Sequence, residues 1–420
     1  MLDIKFIREN LALVKAGAAK KRITVDLDRL VEVDTLRREL MGKIEALRAA
    51  QNAASQEIPS APLERKEAIV VEMSRIKAEI IPLEDALIPL QKEWELLMVQ
   101  VPNIPDVSVP EGESDKDNQE VKSWGEKKAF PFPAKDHIEI MQALGMVDFE
   151  RGTKVAGFRG YFLKGDGALL SFAIWRYAQD FFLGKGFVPL IVPSLVRRVN
   201  FLGTGYIPQG EEDLYQTQDG DFLAGTAEVA TMGYHMNDTL ELSGLPIKYL
   251  AFSPCFRREA GSHGKDTKGL IRVHEFYKWE QVILCEASHE ESVKWHEWLN
   301  RNTEEFIESL NIPYRTVLNC GGDIGLGQVK KYDIELWVPG ENTYREISSA
   351  SYFHDFQTRR LNIRYKDAEG KMRFAHSLNS TAIPTPRILV SLVENYQQED
   401  GSIAVPEVLQ PYVGKATLGG

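Results

Sequence analysis

The chain has 420 residues, 43% of them hydrophobic and 26% charged, with a formal net charge of −11. That length exceeds what one core holds, so two or more domains are expected, and the acidic balance argues against a histone-like nucleic-acid binder while leaving room for a local basic face. The three cysteines, Cys255, Cys285 and Cys320, form no C-x-x-C pair, no apolar run reaches membrane-span length, and the N-terminus lacks a signal-peptide core, so a soluble cytoplasmic protein is expected.

Residues 1–102 read as a helical arm. Apolar positions run Leu36, Leu40, Ile44 and Leu47, then again Ile69, Met73, Ile76, Ile80, Leu83, Leu87, Leu90, Trp94, Leu97 and Val101. The second series alternates steps of four and three, the seam of a coiled coil. Pro59-Ser60-Ala61-Pro62 separates the two series, so an antiparallel hairpin with its tip near 59–62 is expected. A helix of roughly 30 residues would reach about 45 Å. Pro82 and Pro89 lie inside the second helix, where kinks are expected.

Residues 103–123 are rich in proline, glycine and acid and read as a linker. From 124 to 420 glycines and aromatics return. Helices are expected over Leu169–Phe182, Glu290–Leu310 and Arg387–Glu394, and strands over Val188–Val192, Lys248–Phe252, Val282–Leu284, Tyr332–Val338 and Tyr344–Ser348. Strands follow one another without strict β-α alternation, which favours an α+β domain on a mostly antiparallel sheet. Neither a Walker-type loop nor a strand-linked G-x-G-x-x-G is present.

The stretch with most chemistry runs Phe256-Arg257-Arg258-Glu259, then a loop holding Gly261, Gly264 and Gly269, then Leu270 through Glu280. It reads as a long hairpin whose strands both carry arginines, carboxylates and an aromatic. Arginine forks match phosphate oxygens, an aromatic face stacks a base, and a carboxylate accepts from an exocyclic amine, so a ring-bearing polyanion is the expected ligand.

Together these features resemble the seryl-tRNA synthetase family of class II aminoacyl-tRNA synthetases, over nearly the whole chain. Its first class motif resembles the helix from Leu169 followed by Gly186-Phe187-Val188-Pro189-Leu190-Ile191-Val192-Pro193. The second is the hairpin, and the third resembles Ala382-Ile383-Pro384-Thr385-Pro386-Arg387-Ile388-Leu389, a turn running into a helix. Gly203-Thr204-Gly205, Gly225-Thr226-Ala227-Glu228 and Arg345-Glu346-Ile347-Ser348-Ser349 match family strings. The resemblance implies serine activation by ATP, transfer to tRNA(Ser) and a homodimer built on the first motif. It leaves open whether the selenocysteine tRNA is also charged.

By the same resemblance, Arg257 and Arg387 are the catalytic arginines. Arg257, Arg258, Glu259, Arg272, Val273, Phe276, Glu346, Ile347, Ser348, Ser349 and Arg387 are expected at ATP, with Arg272 and Phe276 on one strand face. Thr226, Ala227, Glu228, Arg257, Glu280, Asn379 and Thr381 are expected at serine. Glu346 and Ser349 are the expected Mg²⁺ ligands, hard oxygens that leave room for phosphate. No zinc is expected, since no paired cysteine accompanies Cys255. Lys20, Lys21, Arg22, Arg29, Arg37, Arg38, Lys43 and Arg48 are the expected arm contacts to the tRNA backbone. Departures from the family pattern are Arg258, Glu275 and Ala350; Arg258 and His263 are expected to affect how the hairpin loop meets the tRNA acceptor end. Relatives that load carrier proteins lack the long arm, and a non-catalytic derivative would be expected to lose Arg257, Glu346 or Arg387, all present here.

Overall fold

The computed structural model describes residues 1–261, 264 and 266–419. The chain forms two compact units: one of Leu2–Ala19 and Ile23–Pro102, the other of Met1, Lys20–Arg22 and Asn103–Gly420.

The first unit holds α1 (Ile4–Glu9), α2 (Leu11–Lys20), α3 (Leu27–Glu57) and α4 (Leu63–Met98). Helix α3 begins at Leu27, ahead of the seam read from Leu36, because Leu27, Leu30 and Val33 are also buried and the Asp26 carboxylate caps the Arg29 amide. A short 3₁₀ turn over Ile58–Ser60 reverses the chain. Ile44, Ile76 and Ile80 close a small core with Leu47, Leu83 and Leu87. Helix α4 runs as one element through Pro82 and Pro89, so each proline removes an amide donor without ending the helix.

The expected arm cations separate into groups. Arg29 pairs with Glu93 at 2.7 Å, Arg48 with Glu84 at 2.5 Å, and the Arg37 guanidinium lies 4.4 Å over the Trp94 ring, so these three tie α3 to α4. Arg38 and Lys43 are exposed. Lys20 and Arg22 pair with Glu111 and Glu113 at 3.8 and 3.5 Å in the second unit. Lys21 departs from its expected role: it is 3% exposed, and its ammonium donates to the carbonyls of Gly325, Leu326 and Gln328 at 2.9, 2.9 and 2.5 Å. With all three donors spent inside the fold, it has none to offer a phosphate.

The second unit is built on an eight-stranded sheet. In chain order its strands are β1 (Gln119–Trp124), β2 (Val188–Ile191), β3 (Ile247–Phe256), β4 (Glu275–Cys285), β5 (Tyr314–Leu318), β6 (Lys330–Val338), β7 (Thr343–Tyr352) and β8 (His376–Thr385). Their spatial order is β1-β5-β6-β7-β8-β4-β3-β2, antiparallel throughout except for the parallel β2–β3 pair. The expected α+β fold with a mostly antiparallel sheet is therefore what forms. Segment 103–123, read as a linker, is instead packed into this unit. The Asn103 amide donates to the carbonyls of Gly327 and Phe353, Tyr352 donates to Asp106, and β1 completes the sheet edge.

Helices that supply the core include α5 (Asp166–Gly184), α6 (His289–Ser309) and α7 (Arg387–Asn395). Leu170, Ile174, Ala178 and Phe182, four residues apart on α5, join Leu299 and Phe306 of α6 and Leu389 and Leu392 of α7. Trp279 and Ile283 of β4 face this cluster. Alternation along the strand then turns Phe276, Lys278 and Glu280 to the opposite face.

Lys21→Ala leaves three carbonyls of the 325–328 turn without their charged donor, and is expected to lower stability by about 3 kcal/mol. Urea unfolding would check this; an unchanged midpoint would mean that the turn finds other donors.

Candidate active site

The site lies on the sheet face opposite α5 and α6, and strand irregularities aim its side chains. Glu280 of β4 pairs with Thr381 of β8, whereas Trp279 pairs with Ile383, so one extra residue bulges from β8 at Ala382. This brings the Thr381 hydroxyl to Glu280 Oε2, at 3.4 Å. A second bulge falls at Ile347: Ser348 pairs with Ile334 and Glu346 with Glu335. Without it, Glu346 and Ser349 would point to opposite faces; with it, the Ser349 hydroxyl lies 3.4 Å from Glu346 Oε1.

One subsite is a cleft lined by Arg257, Glu259, Val273, Phe276, Ile347 and Arg387, among others. The Arg257 guanidinium stands 5.2 Å over the Phe276 ring and donates to the Gly225 carbonyl. Arg387 opens α7, where Nε donates to the Ile271 carbonyl at 2.9 Å and Nη1 to the Glu346 carbonyl at 3.0 Å. Two backbone acceptors thus hold the guanidinium in place, with the Glu346 carboxylate 3.9 Å away. Glu259 has φ of +55° and accepts from Arg272 at 2.5 Å. Arg257, Glu259, Arg272 and Val273 lie in the connection between β3 and β4, not on the strands, so strand alternation does not place Arg272 beside Phe276. Arg272 is held by Glu259 and Asp266. Arg258 turns away, donating to the Glu212 carbonyl and lining a separate cavity with Phe158 and His274. His263 lies outside the described residues.

The second subsite is a buried polar cluster two residues further along β4. Glu228, 2% exposed at the start of a short helix after Thr226 and Ala227, accepts from Tyr206 at 2.9 Å, Gln357 at 2.6 Å and Asn379 at 2.8 Å. The same Asn379 amide donates to Glu280 at 3.1 Å. Burial, and then the neighbouring Glu280 carboxylate, push the Glu228 pKa up to about 7. Lys278 lies between Thr226, Glu280 and Thr381. Ser348 is buried beneath, donating to the Thr381 carbonyl.

The structure thus brings together Arg257, Glu259, Val273, Phe276, Glu346, Ile347 and Arg387 in the cleft, and Thr226, Glu228, Glu280, Asn379 and Thr381 in the pocket. Sequence reasoning missed Tyr206, Lys278 and Gln357. Lys278 was recoverable, since it shares the face of Phe276 and Glu280 by simple alternation. Gln357 reaches Glu228 from 129 residues away, which no local pattern announces.

Glu346 and Ser349 offer a divalent cation one carboxylate and one hydroxyl, a hard-oxygen set that suits Mg²⁺ shared with phosphate oxygens. Cys255 is buried, and among the described residues no group of three or more His, Cys, Asp and Glu is placed to hold a metal. No helix among them is long and apolar enough to cross a membrane.

Comparison with known proteins agrees with this geometry. Residues 1–105 match the seryl-tRNA synthetase N-terminal domain, and residues 215–396 match the class II tRNA synthetase core domain of the G, H, P, S and T enzymes. The chain is 43% identical to the serine–tRNA ligase of Deinococcus radiodurans, over 99% of this chain and 98% of that one. It is 42% identical to the serine–tRNA ligase of Dictyoglomus thermophilum, over 99% and 98%. Among solved structures, the seryl-tRNA synthetase of Pyrococcus horikoshii complexed with ATP superposes with a TM-score of 0.91 at 38% identity, covering 100% of this chain and 99% of that one. The cytoplasmic serine–tRNA ligase of Naegleria fowleri in complex with AMP gives 0.87 at 34%, covering 100% and 98%. An arginine-lined aromatic cleft beside a small acidic pocket, in a chain alike from end to end, has one reading: the chain belongs to the seryl-tRNA synthetase family of class II ATP-dependent aminoacyl-tRNA ligases.

Proposed function

We propose that this site activates L-serine with ATP to seryl-adenylate and then passes the seryl group to the 3′-terminal ribose of tRNA(Ser). The observation that carries this reading is the spacing on β4: Phe276, flanked by Arg257, sits four residues before Glu280 on the same strand face. A nucleotide in the cleft and an amino acid in the pocket would meet beside Arg257. A serine carboxylate oxygen attacks the α-phosphorus, and the bond to pyrophosphate breaks. A ribose hydroxyl then attacks the acyl carbon, and AMP leaves.

No nucleophile of the protein is consumed, so catalysis is positioning and charge neutralisation. Arg257 faces both the α-phosphate and the serine carboxylate. Phe276 stacks adenine, Glu259 accepts from its amino group, Val273 lines the ring, and Arg387 takes the γ-phosphate end. Ile347 and Ser348 carry the backbone past the nucleotide. Glu346 and Ser349 would hold Mg²⁺, which offsets phosphate charge as it develops. Glu228 takes the serine ammonium, with Ala227 beside it; Thr226 and Glu280 take the hydroxyl, and Asn379 and Thr381 close the pocket.

The arm is proposed to contact the tRNA backbone through Arg38 and Lys43, two exposed members of its basic set. A homodimer is proposed through the first class motif, where Phe172, Val188 and Ile191 are 58%, 54% and 88% exposed, an apolar face that a second copy would cover. Sedimentation equilibrium at a single 47.5 kDa species would remove the dimer from this account.

Serine-dependent ATP–pyrophosphate exchange in the presence of Mg²⁺ is the deciding assay, and its absence in folded protein would end the proposal. In that assay Arg387→Ala is expected to lower kcat about 100-fold, the scale for removing one preorganised charge-stabilising donor. Serine KM is expected to rise as pH falls below 7. The bound ammonium favours ionised Glu228, whose raised pKa keeps it increasingly protonated below that pH. A serine KM flat from pH 8 to 6 would remove Glu228 from the ammonium site. The Arg38→Glu, Lys43→Glu double variant should raise the KM for tRNA about tenfold through lost phosphate contacts while leaving exchange unchanged.

A further inference from the structure

Lys278 is 5% exposed on the pocket face of β4. Its ammonium has three N–H donors. Three oxygens receive them: Glu280 Oε2, Thr226 Oγ1 at 2.9 Å and Thr381 Oγ1 at 3.4 Å. Thr226 Oγ1 also accepts the Glu228 amide at 3.3 Å. Both lone pairs of that hydroxyl are therefore engaged, and its own proton can only be given. The Thr381 hydroxyl accepts from Lys278 and points its proton at Glu280.

The charge count points the same way. Glu228 and Glu280 share the Asn379 amide as a common donor, and Lys278 is the buried cation in contact with this pair. Two carboxylates with one internal ammonium leave the pocket short of one positive charge, which the ammonium of an amino acid supplies. The position beside Glu280 is already neutralised.

We propose that Lys278 is a positioning residue that sets selectivity for a hydroxyl-bearing amino acid. It gives Glu280 its counter-ion and fixes the sense of the surrounding hydrogen bonds, so that Thr226 donates and Glu280 accepts. A substrate hydroxyl, at once donor and acceptor, satisfies both. A methyl group leaves both unpaired, which is costly in a buried site. A second cation at the hydroxyl position meets Lys278. This inference rests on the serine reading above.

The test is exchange with serine and with alanine in wild type, Lys278→Met and Lys278→Gln, with ATP binding measured alongside. Serine kcat/KM is expected to fall about 100-fold in both variants, part of the discrimination that a hydrogen-bonding site provides. Alanine kcat/KM and ATP affinity should stay as in wild type, so the serine-to-alanine ratio collapses. Serine and alanine falling in parallel would make Lys278 a general support of the strand and overturn the proposal. A readout in wild type alone covers the case of variants that do not fold. L-2,3-diaminopropionate, serine with its hydroxyl replaced by an amine, is assayed where that amine is protonated. It is expected to compete far more weakly than serine; competition equal to serine overturns the proposal. Wild type that exchanges with neither serine nor alanine would instead sink the functional reading itself.

Discussion

The two-residue alternation of β4 is the constraint on which the catalytic unit depends. Trp279 and Ile283 are committed to the core with α5 and α6, so Phe276, Lys278 and Glu280 have no choice of face. A register slip of one residue would bury a lysine and a glutamate among leucines and phenylalanines and expose a tryptophan. The packing of the hydrophobic side therefore enforces the geometry of the polar side. The bulges at Ala382 and Ile347 are local exceptions, and each sits where a functional side chain has to be turned back to the site face.

Burial gives the pocket its electrostatic character. Glu228, Lys278 and Glu280 are each 5% exposed or less, and none is isolated: hydroxyls, amides and opposite charge surround them. Such a cluster contributes little net stability compared with an apolar core, because desolvation offsets much of the attraction. Its value is specificity, since every donor and acceptor has a fixed direction before a substrate arrives. The nucleotide cleft is built differently. Its arginines are held by backbone carbonyls and by acidic neighbours such as Glu259 and Asp266, contacts that a phosphate can supplement or replace.

The periodic parts of the fold were legible in the sequence. The seam from Ile69 to Val101, the hairpin tip, and strands such as Tyr332–Val338 all carry strong local patterns. What escaped was non-local. Strand β1 is exposed along most of its length, so its residues show no burial pattern, and it forms because β5 offers an edge. Segment 103–123 looked like a linker because proline and acid are common there. Asn103 and Asp106 nevertheless satisfy buried groups more than 200 residues away. Lys21 read as part of a basic run, and only the 325–328 turn reveals why a lysine is needed. In the site, residues with a family string were legible, while Tyr206 and Gln357 were not, because they act through Glu228.

The chain passes between the two units four times: at Met1–Leu2, at Ala19–Lys20, at Arg22–Ile23 and at Pro102–Asn103. The arm is thus not an appendage on a single tether. Removing everything before residue 103 would also remove Lys20, Lys21 and Arg22, opening a buried seat beside Gly325 to Gln328, in the stretch that also lines the cavity at Glu228 and Asn379. Evolutionary loss or exchange of the arm would therefore require either keeping this three-residue stitch or rebuilding the turn it fills. The helical hairpin beyond Ile23 is free of that obligation and can lengthen or shorten by whole heptads.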